Sequence, residues 1–305
     1  DIKMANITAS MVKELREKTS AGMMDCKKAL SATDGDMEAA VTWLRERGIA
    51  KAVKKEGAVA AEGLCSYAIN GNKCVLFELN SQTDFVAQNA KFVSLLETVG
   101  QIIVNSNATN TEEALNVESE GKTLATIILE ASGVIGEKIS LRRVTVLNKT
   151  NDQVFGAYKH MGGRIVTVAL LDGNNDVVAK DVAMHVAALN PKYVSKDDIP
   201  AEAIEQERVV ILHAALNENA QSNKPKPENI IAERIVPGRL EKQLKEICLL
   251  SQAFVKNPDQ TVEAYVQGAK SHVVTFVRLE VGEGIEKAET DFAAEVAAQS
   301  AAFNN

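Results

Sequence analysis

No stretch of this 305-residue chain approaches the roughly 20 apolar residues that a membrane-spanning helix needs, and its N-terminus has no secretory-signal pattern. The chain therefore reads as a soluble protein of the cytoplasm, with no membrane partner. Cysteine is scarce: Cys26, Cys65, Cys74 and Cys248 are too scattered for a disulfide framework or a paired metal motif, so reduced, half-buried thiols are expected and zinc is not. The four histidines, His160, His185, His213 and His272, show no ligand spacing, and no serine or cysteine lies in a nucleophile turn. An excess of base is also missing. The net charge is −7; residues 1 to 60 hold 11 Lys and Arg against 9 Asp and Glu, a balance of +2 that leaves −9 for the remainder. An acidic body has no counterion-release drive toward phosphate backbones, so no direct nucleic-acid contact is expected, although a basic patch could face an acidic protein. Gly121-Lys122-Thr123 fails as a phosphate loop because Asn116 stands where the first glycine is required, and Gly282-Glu283-Gly284 lacks the third glycine of a dinucleotide site. Nothing here points to an enzyme or to a cofactor.

What is present is ample apolar residue for a core: 46% of the chain, enough for two or three domains. Asp1-Ile2-Lys3 precede Met4, which reads as a start residue, so the first three are taken as a remnant ahead of it. Thr8 caps a helix carrying Met11, Val12 and Leu15 on one face. A second helix runs from Met24 to Ala32, and Asp34-Gly35-Asp36 turns into a third with Met37, Ala40, Val41 and Leu44 at helical spacing and Gly48 beyond its end. Three short helices make a small bundle suited to recruiting a partner. Met23 and Met24 fall in the loop before the second helix, where their thioethers either grip an apolar groove or fill the bundle core. Lys51 to Gly57 reads as a basic linker, partly helical.

The body repeats itself. Tyr67 to Leu79 aligns without a gap on Tyr158 to Leu170, and each copy has a Tyr-led strand, a glycine turn and a second apolar strand. A helix follows each hairpin, with Phe92, Leu95, Leu96, Val99 and Ile103 on its apolar face in the first copy and Val178, Val182, Val186 and Leu189 in the second. Later strands at 139–146 and 272–281 complete two α+β subdomains with antiparallel sheets. Between Pro200 and Glu246 a charged helical stretch with Ile204, Leu212 and Leu216 breaks at Asn223 to Pro227 and returns from Glu228, a protruding antiparallel helical hairpin whose apolar stripe serves its own seam or self-association.

The stretch that stands out is Thr83-Asp84-Phe85-Val86, which follows the strand-like run Cys74 to Leu79. Asp84 can cap a helix or compete for a cation's ligands, and Phe85 is either a tucked-in ring at a helix start or a functional protrusion. The tripeptide recurs as Thr290-Asp291-Phe292, where Phe292 and Val296 lie one turn apart and give the ring a packing role.

Ile7 to Ser10 with Val12 to Arg16, Ala21 to Leu30, Thr83 to Val86, and Val281 to Lys287 with Glu289 to Val296 together resemble the bacterial elongation factor Ts family, in family order and from about Ile7 to the C-terminus. The resemblance implies a ubiquitin-associated-like N-terminal module with its linker (4–56), a core N-subdomain (57–150), a core C-subdomain (151–199 and 247–284), a helical-hairpin dimerisation module (200–246) and a C-terminal helical module (285–305). It implies an exchange factor without covalent chemistry that binds elongation factor Tu carrying GDP, dislodges Mg²⁺ and releases the nucleotide for GTP reloading. Thr83, Asp84, Phe85 and Val86 match the segment that displaces the partner's Mg²⁺; Met23, Met24, Lys27 and Lys55 match positions that hold the partner, and His160 one that contacts a helix of the GTPase domain. Homodimer and heterotetramer both stay open. Ser20 stands where many members have Gly, and Pro237 interrupts the family's helical stretch, which bears on the shape of the hairpin module. Without the resemblance, two rivals remain: an adaptor for ubiquitin-like folds built on the three-helix module, and a hydrolase or transferase with a site split across the repeats, against which the missing carboxylate pair and nucleophile count.

Overall fold

The structure, a computed structural model of the chain, describes residues 6–19, 21–54 and 60–285. Three helices come first: α1 (Ala9–Thr19), α2 (Met23–Ala32) and α3 (Met37–Lys54). The caps of α1 and α3 are those the sequence offers. The Met11 N–H bonds to Thr8 Oγ1 at 3.3 Å and the Ala39 N–H to Asp36 Oδ1 at 3.1 Å. Leu15, Cys26, Ala29, Leu30, Ala40 and Leu44 form the buried core of this bundle. Two expectations shift. Met23 opens α2 instead of lying in the loop before it, and α3 runs through Gly48 to Lys54. A mid-helix glycine costs about 1 kcal/mol, which packing can offset; α3 lies against the later helix Leu124–Ile135.

A mixed α and β body follows, with small antiparallel sheets, as the alternation of hairpins and helices predicts. β1 (Glu62–Asn70) and β2 (Lys73–Ser81) form the first hairpin, then come α4 (Asp84–Ala87), α5 (Ala90–Val104), α6 (Thr111–Leu115), the short strands β3 (Glu118–Ser119) and β4 (Lys122–Thr123), α7 (Leu124–Ile135) and β5 (Ser140–Asn148). β6 (Gln153–His160) and β7 (Ile165–Asp172) pair antiparallel from Gln153 opposite Asp172 to His160 opposite Ile165, and α8 (Asp176–Leu189) covers them. The helical hairpin is α9 (Ala201–Ala220) and a return made of α10 (Glu228–Ile230), a π-turn over Ile231–Ile235 and α11 (Val236–Ile247). After it come β8 (Ala253–Phe254), β9 (Asn257–Thr261), α12 (Val262–Gly268) and β10 (His272–Glu280).

The two repeats share one topology. The sheet orders are β1-β2-β5 and β10-β7-β6, so in each the late third strand pairs with the second strand of the hairpin. β2 is therefore central and buried almost throughout, which accounts for the apolar run Cys74–Phe77. All five apolar positions named for α5 are buried. On α8, Val178, Val182 and Val186 are buried, but Leu189 is 44% exposed because it occupies the last turn, next to the left-handed Asn190 that ends the helix. Pro237 does not break the return helix. It has no N–H for the helical ladder, and the π-turn just before it widens the backbone to accommodate it. Ile211, Ala215, Ile231 and Val236 bury the seam of the hairpin, with Leu212 and Leu216 packed beside them. All four cysteines are free, and they are fully buried where half-burial was expected; burial pushes the Cys65 and Cys74 thiols up to about 12. Among the described residues no helix is long and apolar enough to cross a membrane. The described residues separate into two compact units, 6–19, 21–54, 60–68, 77–146 and 280–285 in one and 69–76 and 147–279 in the other. The expected C-terminal helix over 285–305, with Thr290, Asp291 and Phe292, lies outside the described residues beyond Ile285, as do Ser20 and Lys55.

Candidate functional site

β2 brings a carboxylate into the interior before it delivers the loop. Glu78 is fully buried in an apolar run, and its Oε1 accepts from Arg142 Nη1 at 2.8 Å and Arg143 Nε at 2.6 Å, while Oε2 accepts from Asn80 Nδ2 and the Gly282 N–H, each at 2.8 Å. Burial alone would raise its pKa. The Gly282 amide, Asn80 and the two guanidinium groups outweigh that and hold the carboxyl below its ordinary value. The cluster ties β2, β5 and the turn after β10 to one another. It also fixes the direction in which β2 ends.

At that end Ser81, also buried, donates from Oγ to the Thr83 carbonyl at 2.9 Å and starts a tight turn. Thr83, extended at φ −120° and ψ 155°, is the N-cap of α4, its Oγ1 accepting from the Val86 N–H at 3.4 Å. The cap is thus Thr83, and Asp84 is the first helical residue with an exposed side chain. Only Ala87 of this single turn is buried, and Asn89 at once caps α5. Phe85 consequently points outward with 81% of its surface exposed. The tucked-in ring, one of the two readings of the sequence, does not occur.

A residue distant in sequence holds this turn. Glu137, directly after α7, accepts from the Gln82 N–H at 3.1 Å and the Thr83 N–H at 2.9 Å through Oε1, and from Thr83 Oγ1 at 2.7 Å through Oε2. The Gln82 side chain returns the contact, its Oε1 accepting from the Lys138 N–H at 2.8 Å. Sequence reasoning missed Glu137 and Glu78. The available signal for Glu78 was an acid inside the run Phe77-Glu78-Leu79 together with the adjacent Arg142-Arg143 pair; Glu137 had no local signal at all.

The other expected residues fall in two places. Met23 and Met24 are 58% and 67% exposed, so neither fills the bundle core, which belongs to Cys26, Ala29 and Leu30 on the opposite face of α2. Met24 and Lys27 line an open strip on α2 with Lys28, Ser31 and Ala32. His160 ends β6 in the second unit with its ring exposed and its Nδ1 3.1 Å from Tyr158 Oη. Beside it Met161, at φ 50° in the hairpin turn, exposes 70% of its surface, a feature hidden in the sequence behind the Gly162-Gly163 signal. Among the described residues no group of three or more His, Cys, Asp or Glu side chains is placed to hold a metal ion.

A sequence profile of the family described as Elongation factor TS matches residues 82–283. The chain is 54% identical to elongation factor Ts of Acholeplasma laidlawii (strain PG-8A) over 294 residues, 96% of this chain and 98% of that one. It is 50% identical to elongation factor Ts of Limosilactobacillus reuteri (strain DSM 20016) over 293 residues, again 96% and 98%. The profile begins within the exposed turn, and the relatives extend the match through the three-helix module. This chain belongs to the elongation factor Ts family of translation elongation factors.

Proposed function

We propose that this protein is the guanine-nucleotide exchange factor for elongation factor Tu, acting in the cytoplasm by binding rather than by covalent chemistry. The observation that carries the reading is the outward Phe85 ring on a one-turn helix, with the Asp84 carboxylate beside it. A ring left in water is suited to a cleft in another protein, where burying it would contribute about 2–3 kcal/mol. Asp84 would then disturb the groups that hold Mg²⁺ against the partner's GDP, and losing that metal's surroundings loosens the nucleotide. Thr83 and Val86 shape the turn. Met23, Met24, Lys27 and Lys55 would hold the partner through the module at 4–56, and His160 would touch the GTPase domain from the core C-subdomain at 151–199 and 247–284. The core N-subdomain at 57–150 carries the turn, the hairpin at 200–246 is proposed as the self-association module, and 285–305 as the C-terminal module.

Exchange by this route is linkage. A factor that binds the nucleotide-free partner more tightly than the GDP-bound one must lower GDP affinity by the same ratio. The test is release of fluorescent GDP from elongation factor Tu. Catalytic amounts of the protein should speed release by orders of magnitude, and Phe85→Ala should lose about tenfold or more of that while still binding. Native exchange by Phe85→Ala would discard the wedge.

A further inference from the structure

We infer that Glu137 is a positioning residue of the exchange turn, holding Gln82 and Thr83 so that Phe85 is presented already formed; this rests on the reading of Phe85 as the wedge. The turn has little else to order it. α4 is one helical turn, only its Ala87 is buried, and its largest side chain, Phe85, is 81% exposed. Hydrogen bonds must therefore supply the order: Glu137 accepts three of them, and the Lys138 N–H donates a fourth to Gln82 Oε1. Both oxygens of the carboxylate are used, so the two residues are fixed in rotation as well as distance.

Glu137 is itself held firmly, and against electrostatic preference. α7 ends on Gly136 at φ 91°, whose N–H bonds to the Ser132 carbonyl at 2.9 Å, and the buried Ser132 hydroxyl donates to the Glu137 carbonyl. A carboxylate immediately after a helix C-terminus faces the negative end of the dipole, and the last turn of α7 carries no base to relieve it. The compensating donors are the N–H groups and hydroxyl of the turn. Such an arrangement lowers the disorder that a wedge would otherwise lose on binding, and small misplacement of a working group is known to cost much in rate.

The experiment is GDP release from elongation factor Tu by the full chain and four variants, with thermal melting alongside. Glu137→Ala should lower exchange at subsaturating factor about tenfold with the melting temperature of the protein nearly unchanged, since water can reach the freed donors. Glu137→Gln, whose amide oxygen still accepts from both backbone N–H groups, should recover to within about threefold of native. In a Phe85→Ala background, adding Glu137→Ala should cost less than twofold further, because positioning a wedge that is absent is worth nothing. A native rate for Glu137→Ala, or losses that multiply in the double variant, would overturn the inference while leaving the wedge intact if Phe85→Ala alone is slow. A native rate for Phe85→Ala removes the wedge itself, whatever Glu137 does. Should Glu137→Ala not fold, Gln82→Ala reads the same strap from the other side: about threefold slower supports it, native exchange overturns it.

Discussion

His185 is fully buried on α8, with Nε2 2.9 Å from Gln252 Oε1 and Nδ1 accepting the Val255 N–H at 3.1 Å. That acceptor role puts its one proton on Nε2, and a second proton on Nδ1 would set two N–H groups face to face. Burial holds its pKa below the ordinary histidine value, with the Gln252 bond working weakly the other way. Nearby charge is already engaged: Asp181, one turn back on the helix, takes Lys256 Nζ at 2.6 Å and Tyr265 Oη at 2.5 Å. With the folded pKa depressed, the unfolded chain binds more protons, so stability is fully present above about pH 6.5 and falls as pH drops toward the folded pKa, by at most about 1.4 kcal/mol per unit. Urea midpoints at pH 7.5 and 5.5 should therefore differ for the native protein and converge for His185→Gln. Equal sensitivity in both would show that another group titrates. His185 shares the apolar face of Val178 and Val182, so its burial was readable from helical spacing, but a polar letter hid it. Phe85 posed the opposite problem. Its neighbours in sequence admit both a tucked and a free ring, and what holds the turn in place is Glu137, more than fifty positions away.

Most elements follow from local pattern because hairpins and amphipathic helices are short-range objects: Gly71 turns β1 into β2, and the spacing of Phe92 to Ile103 sets the buried face of α5. The discrepancies arise where the local signal is overridden, as in α3 continuing through Gly48 to Lys54, or the π-turn that takes in Pro237. The tightest such approach is between β6 and α8. A Cβ on Gly156 would stand 2.0 Å from the Ala179 carbonyl carbon and 2.4 Å from the Lys180 nitrogen, all backbone that cannot swing aside. Gly156→Ala should thus force strand and helix apart, destabilising the fold by about 3 kcal/mol and lowering the melting temperature by roughly 6–12 °C in calorimetry. A change within one degree would mean that the two elements have slack.

The proposed contacts are carried by three different elements, the strip on α2, the turn after β2 and the tip of the β6–β7 hairpin, so affinity and metal displacement should separate experimentally. α3 is joined to α7 through Arg45 and Glu130 at 2.8 Å, with Lys122 on the second oxygen of the same carboxylate. Deleting the helical module would strip that face, so the cleaner change is the pair Met23→Ala and Met24→Ala. It should raise the dissociation rate of the nucleotide-free complex about tenfold, with the rate of GDP loss from a preformed ternary complex altered less than twofold. Unchanged dissociation would remove α2 from the contact. The shared topology of the two sheets has a temporal side as well. β5 joins β2 by residue 148, whereas β7 waits for β10, which begins only at His272. As the chain emerges from the ribosome, the first sheet can close early, while the second leaves the edge of a buried strand unpaired until nearly all of its unit has been synthesised. That interval is when a nascent molecule of this protein is most exposed to aggregation and has most need of a chaperone.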